Sequence, residues 1–296
     1  MDGSGTREVG IAVAAFACCL AAFAPEAIAG APISDMDEAA IDGYLKKLHE
    51  DKTKDTPARL AEASALFVGT PFGVSPLGEG EGNEPDEDPL YSFETVDCQT
   101  FVEEALALAV SPSFEVFKKA LNDIRYSNGE PSFETRNHFP EAQWVTNNAK
   151  KGYVWDITFE IGGKEARVHR RALDPGRQSR KVDGFELPVN AFPSGDVGIV
   201  YIPYAKMSAF ADQIPHGAIV HIVRVENPRK AYMTTHQGIV VVKKEGKKER
   251  RYIRHASRHF GGKVTDMTLS SFLSTLEKYE KWPALGIRVF VPRRPG

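Results

Sequence analysis

The chain has 296 residues, 42% hydrophobic and 26% charged, the balance of a soluble globular protein long enough to bury a core. Lys and Arg total 37 against 40 Asp and Glu, and the resulting net charge of −3 argues against a nucleic-acid partner and against a disordered polyelectrolyte. Three cysteines without a Cys-x-x-Cys spacing exclude zinc ribbons and thioredoxin-type chemistry.

Residues 9–24 form 16 apolar, uncharged positions, short of the roughly 20 that a spanning helix needs. Arg7 precedes them, Pro25 follows, and Ala27-Ile28-Ala29 supplies a small-x-small cleavage site. The pattern predicts a secretory signal over residues 1–29, with a retained anchor as the alternative. Ala-Phe-Ala before Cys18 is a poor lipid-attachment motif. Cleavage removes Cys18 and Cys19 and leaves Cys98 as a lone thiol. The mature chain, residues 30–296, is then expected as one domain, periplasmic or secreted, with no membrane contact after signal removal.

Helical spacing runs through residues 35–69, with apolar stripes at Met36, Ala39, Ile41, Tyr44 and Leu45, then at Leu60, Ala63, Leu66 and Phe67, until Gly69 and Pro71 stop it. Residues 78–89 carry six acids, three glycines and no base, which predicts a solvated acidic loop. Residues 97–110 predict a helix with Phe101, Val102, Ala105, Leu106 and Ala109 on one face. Residues 113–124 predict another, with Phe114, Phe117, Leu121 and Ile124 aligned. The period then changes. Residues 153–161 alternate, as do 165–171, and strands are expected at 218–225, 236–242, 251–255 and 286–291. The tract 243–250, with Gly246 at its centre, suits a hairpin turn. Residues 268–280 return to helix. Helices first and sequential strands after is an α+β pattern. The segment 164–181 holds seven bases and two acids; it suits either a solvated charged face or contact with an anionic polymer.

Cys98 follows Asp97, which is placed to cap the helix. A thiol on a first helical turn feels the positive end of the dipole and the open N–H groups there. Both lower its pKa, and the same groups can hold an oxyanion. A lone Cys is either a buried small hydrophobe or a reactive thiol; its place at the helix end, beside an already complete apolar stripe, favours the second. His236 opens one strand and His255 closes the next. A tight turn between them pairs the strands antiparallel and brings the two imidazoles together. Two such histidines form either a plain cross-strand pair or a base with its orienting partner. Metal readings are weaker. His49-Glu50 lacks a second His at position 53, and no histidine pair has i, i+4 spacing on a predicted helix. No Gly-x-Ser-x-Gly elbow or phosphate loop is present. The tract 125–144, with Arg125, Tyr126, Arg136 and Trp144, offers the residue types of a sugar–peptide site, or of a packed loop.

The pieces Gly69-Thr70-Pro71, Asp97-Cys98-x-Thr100-Phe101-Val102-Glu103, Ile124-Arg125-Tyr126, Arg136-Asn137-His138-Phe139, Trp144, Asp156-Ile157-Thr158, His236-x-Gly238-Ile239-Val240 and Arg254-His255-Ala256-Ser257 occur in one order. That order resembles the NlpC-like papain-fold peptidases of bacterial cell walls, and within them the N-acetylmuramoyl-L-alanine amidase-like branch. The resemblance implies a papain-like α+β core, with a helical part on an antiparallel sheet. It makes Cys98 the nucleophile, His236 the base and His255 the orienting residue, with no metal and no cofactor. It implies muropeptides as substrates, cut between N-acetylmuramic acid and L-alanine, with Arg125, Tyr126, Arg136 and Trp144 lining the sugar side. Asp97 is placed to receive a free L-alanine amine if the enzyme is instead a γ-D-glutamyl-diamino acid endopeptidase. A non-catalytic peptidoglycan-binding protein is the alternative of another class. Phe72, Gln99 and Ala218 depart from the family pattern and bear on substrate detail.

Overall fold

The computed structural model describes residues 32–278 and 281–296, so the expected signal segment lies outside the described residues. Helix α1 (Glu38–Glu50) starts at Asp37, whose carboxylate accepts from the Ala40 N–H, and α2 (Thr56–Ala63) starts at Asp55 in the same way. Helix α3 (Cys98–Val110) is followed by α4 (Phe114–Arg125), capped by the Ser113 hydroxyl. A short helix α5 (Val145–Lys151) stops at Gly152, whose φ of 87° suits glycine.

Strand β1 (Val154–Asp156) leads to α6 (Thr158–Gly162). The alternation expected over 153–161 therefore breaks after three residues of strand. The Asp156 carboxylate accepts the Thr158 N–H and turns the chain into the helix. Strands β2 (Arg167–Leu173), β3 (Lys181–Val182), β4 (Phe185–Glu186) and β5 (Gly195–Pro203) come next, then a short helix α7 (Met207–Phe210). The chain closes with β6 (Ile219–Arg224), β7 (Thr234–Glu245), β8 (Lys248–Ser257), β9 (Lys263–Thr268), α8 (Leu269–Thr275) and β10 (Ala284–Pro292).

The main sheet is antiparallel, in the order β2-β5-β10-β6-β7-β8-β9, with β1 on the far end of β10. Hairpin β7–β8 turns at Gly246, with Glu245 opposite Lys248, as the tract 243–250 predicts. On one face, α1 to α4 pack over Ile219, Ile239, Ala256, Val264 and Phe290. On the other, Val220, Ile222, Val240, Ile253 and Ile287 meet Met207 of α7 and Phe272 of α8. The central strands are thus covered twice, which is why β6 and β7 read as apolar runs rather than as alternation. The arrangement is α+β. Among the described residues no helix is long and apolar enough to cross a membrane.

One sequence expectation fails here. The acidic segment 78–89 is not solvated throughout: Glu79 and Asp86 are buried. The segment folds on itself through Glu79 N–H to Asp86 O and Gly78 N–H to Pro89 O. A side chain at Gly78 would meet Asp86 Oδ1 at 2.4 Å. Arg136 holds the segment from below: Nη1 donates to Leu77 O, Nη2 to Asp86 Oδ2, and Nε lies 3.3 Å from Glu79. Burial pushes the Glu79 carboxyl up to about 7, against the opposite pull of Arg136.

Candidate active site

Cys98 is the first residue of α3, and the start of that helix is closed by a reciprocal pair. The Asp97 carboxylate accepts from Gln99 N–H and Thr100 N–H, each at 2.8 Å, and the Thr100 hydroxyl accepts from Asp97 N–H at 2.9 Å. Two of the N–H groups that the sequence offers to an oxyanion are therefore occupied. The backbone N–H groups of Gln237, of Cys98 itself and of Gln99 favour the thiolate. The expected lowering of the thiol pKa does not follow. Burial pushes it up to about 12, the Asp97 carboxylate adds to the rise, and the three N–H groups offset only part of it. The side chain beside the nucleophile is fixed as well: the Gln99 amide donates to Glu103 Oε1 at 3.0 Å and to Asn137 O at 3.3 Å.

His236 sits on β7 at a β-bulge. Ile222 of β6 pairs with His236, while the next residue, Val223, pairs with Thr234, so Thr235 is the extra residue. Bulges next to sites of this kind re-aim side chains. Arg224 holds this one, donating from Nε to Thr235 Oγ1 and from Nη1 to the carbonyl of Trp282. The Glu141 carboxylate fixes the start of the strand by accepting the N–H groups of Met233 and Thr234.

His255, on β8, is fully buried behind His236. His236 Nε2 and His255 Nδ1 are 2.7 Å apart, with the rings nearly perpendicular. Gly238 permits this. A Cβ there would lie 2.8 Å from Arg254 O and 3.0 Å from the Cβ of His255. Burial, then His255 and Arg224, holds His236 well below the usual imidazole range. Burial pushes His255 down to about 4. Both rings are neutral at pH 7, so their shared hydrogen bond holds one proton. When His236 Nε2 donates it, Nδ1 of the same ring carries a lone pair, as a general base requires.

Cys98, His236, Asp97 and Gln237 line one cleft of about 600 Å³, together with Thr234 and Trp282. The sequence-predicted substrate residues separate here. Asp97 borders the cleft as the helix cap. Arg125 and Arg136 also reach the cleft wall, but both are buried and engaged elsewhere. Arg125 donates to the carbonyls of Gly78 and Leu90 and pairs with Glu103 at 3.5 Å. Tyr126 and Trp144 have no exposed surface. The Tyr126 hydroxyl donates to Gly78 O, and Trp144 packs 5.6 Å from the His221 ring. Tyr126 and Trp144 thus belong to the scaffold under the cleft, while Arg125 and Arg136 line it with guanidiniums that are already engaged. Arg224, Thr235 and Glu141 escaped sequence reasoning; the available signal was a single Arg closing the apolar run of β6.

The pattern described as N-acetylmuramoyl-L-alanine amidase-like (AmiA-like) matches residues 62–278. The chain belongs to this amidase-like family. Membership makes it a relative of cell-wall hydrolases and implies peptidoglycan as substrate. A Legionella pneumophila protein of the DUF1460 family has a similar crystal structure, at TM-score 0.74 and 26% identity, over 88% of this chain and 98% of that one. An N-acetylmuramoyl-L-alanine amidase from Bacteroides uniformis shares the fold at TM-score 0.63 and 22% identity, over 81% of this chain and 99% of that one. No curated protein matches the sequence.

Proposed function

We propose that this amidase-like protein is an exported cysteine hydrolase with an NlpC-type, papain-like core, cutting the amide between N-acetylmuramic acid and L-alanine. The observation that carries the reading is the 2.7 Å contact between His236 Nε2 and His255 Nδ1, in the cleft that Cys98 opens into. It leaves His236 Nδ1 as the nitrogen available to the thiol.

In this reading Cys98 Sγ adds to the lactyl carbonyl while His236 Nδ1 takes the thiol proton. The N–H of Cys98 faces the resulting oxyanion. Collapse breaks the C–N bond and the same proton passes to the L-alanine nitrogen. Water, giving a proton to His236, then cleaves the thioester and releases the muramic carboxylic acid and the thiol. Because the thiol and both imidazoles are neutral at rest, proton transfer accompanies attack rather than preceding it. His255 orients His236 and touches no substrate. The endopeptidase alternative has less support, since the Asp97 carboxylate already accepts two helix N–H groups.

Mass spectrometry of a defined muropeptide tests the bond. The expected products are the intact peptide beginning at L-alanine and the free muramic carboxylate. Cys98→Ser should form neither while staying folded. Release of L-alanyl-γ-D-glutamate from a sugar-free stem peptide, with the muropeptide left whole, would instead favour the endopeptidase. Export belongs to the same proposal, and exported material should begin near Gly30 rather than at Met1.

A further inference from the structure

Tyr126 and Trp144 are buried under the cleft and the guanidiniums of Arg125 and Arg136 are already engaged, so an aromatic face for a sugar has to come from elsewhere. Among its lining residues Phe260 and Phe272 pack against the two imidazoles, and a second aromatic pair, Tyr232 and Trp282, packs on neither of them. Tyr232 lies four residues before His236 on the approach to β7, and Trp282 precedes β10. Their ring centroids are 5.8 Å apart, and both rings are only partly buried.

The pair is preorganised. Trp282 Nε1 donates to Val225 O, and the Trp282 carbonyl accepts from Arg224 Nη1, the same guanidinium that holds the bulge at Thr235. One buried cation thus ties the aromatic wall to the strand that carries His236. Thr234 and Thr235 lie between the wall and His236 along the strand and also line the cleft.

A pyranose presents an apolar C–H face and an equatorial belt of polar groups. It suits a fixed aromatic face next to hydroxyls and charged hydrogen-bond donors. We infer that Tyr232 and Trp282 form the subsite for the N-acetylmuramoyl ring, which determines specificity for a sugar-bearing acyl group. This rests on the amidase reading and adds to it the wall that recognises the glycan.

The test uses two substrates with the same scissile amide: N-acetylmuramoyl-L-alanyl-D-isoglutamine, and its D-lactoyl analogue without the pyranose. Trp282→Leu should raise KM for the first about tenfold or more, and change kcat/KM for the second by less than about threefold. Equal losses on both substrates, or no loss on the first, would overturn the subsite. Binding to the wild-type protein gives a readout that does not depend on turnover. The chain has three tryptophans, and their indole N–H signals can be assigned with Trp282→Phe and Trp155→Phe. Titrating the wild-type protein with N-acetylmuramic acid should move the Trp282 signal and leave that of the exposed Trp155 in place. Movement of Trp155 alone, or of neither, would refute the assignment. If the wild type cleaves neither substrate, the amidase reading fails, and the titration still decides where the sugar binds.

Discussion

Gly238 is the position where one methyl group should separate packing from chemistry. In Gly238→Ala the new Cβ meets Arg254 O and Ile253 Cγ1 at 2.8 Å and the His255 Cβ at 3.0 Å. The first is main chain of the paired strand and cannot rotate away, so β7 and β8 must part by several tenths of an ångström. Overpacking of this kind costs about 1–3 kcal/mol. At about 2–4 °C per kcal/mol for a domain of this size, the melting temperature should fall by about 2–12 °C. The displacement acts along the line from Gly238 to His255, so it also disturbs the 2.7 Å contact with His236. Misplacing a catalytic group by about 1 Å can cost about 100-fold, and a shift of a fraction of that should cost roughly tenfold or more in kcat. Thermal melts monitored by circular dichroism and muropeptide turnover on the same preparation check both numbers. Wild-type melting and wild-type kcat together would refute the argument that Gly238 is needed for the imidazole pair.

Other consequences are equally direct. With its pKa pushed up to about 12, the Cys98 thiol should be almost wholly protonated at neutral pH. Its alkylation by iodoacetamide should rise about tenfold per pH unit from 6 to 9; a flat profile there would mean a preformed thiolate–imidazolium pair. His255→Ala should reduce turnover less than His236→Ala, because His255 acts only through its neighbour, and His255→Gln should recover part of the loss; equal losses would oppose that division of roles. Arg136→Ala strands the buried Glu79 and Asp86 and should destabilise the fold by about 3–5 kcal/mol. Limited proteolysis should then cut within residues 78–89, and resistance equal to wild type would refute the anchoring role.

The helices were legible because their signals are local. Asp97, Ser113 and the apolar spacing on α3 and α4 each lie within a turn or two of what they specify. The meeting of His236 and His255 was legible for the same reason, since one tight turn joins their strands. Strand β5 was not, because Gly195, Asp196 and Gly198 hide its pattern and its partners lie far away in sequence, on β2 and β10. The burial of Arg125, Tyr126, Arg136 and Trp144 was hidden for a different reason. Arg and Tyr bind sugars and also hold main-chain carbonyls, and only the folded segment shows that Arg125, Tyr126 and Arg136 hold carbonyls within 77–90, while Trp144 is packed against His221. The upward push on the Cys98 thiol is hidden because a helix terminus is visible in a sequence and the packing around the sulfur is not.

The bulge at Thr235 divides β7 into two parts with separate registers. Upstream of the extra residue β7 follows one register against β6, and from His236 onward it follows another. Without the interruption, a slip anywhere along the strand would turn every side chain to the opposite face, His236 included. With it, a shift of register before Thr235 need not carry into the strand beyond, where His236 stays opposite Ile222. The portion of strand leading in from Tyr232 can therefore change without turning the imidazoles to the other face of the sheet.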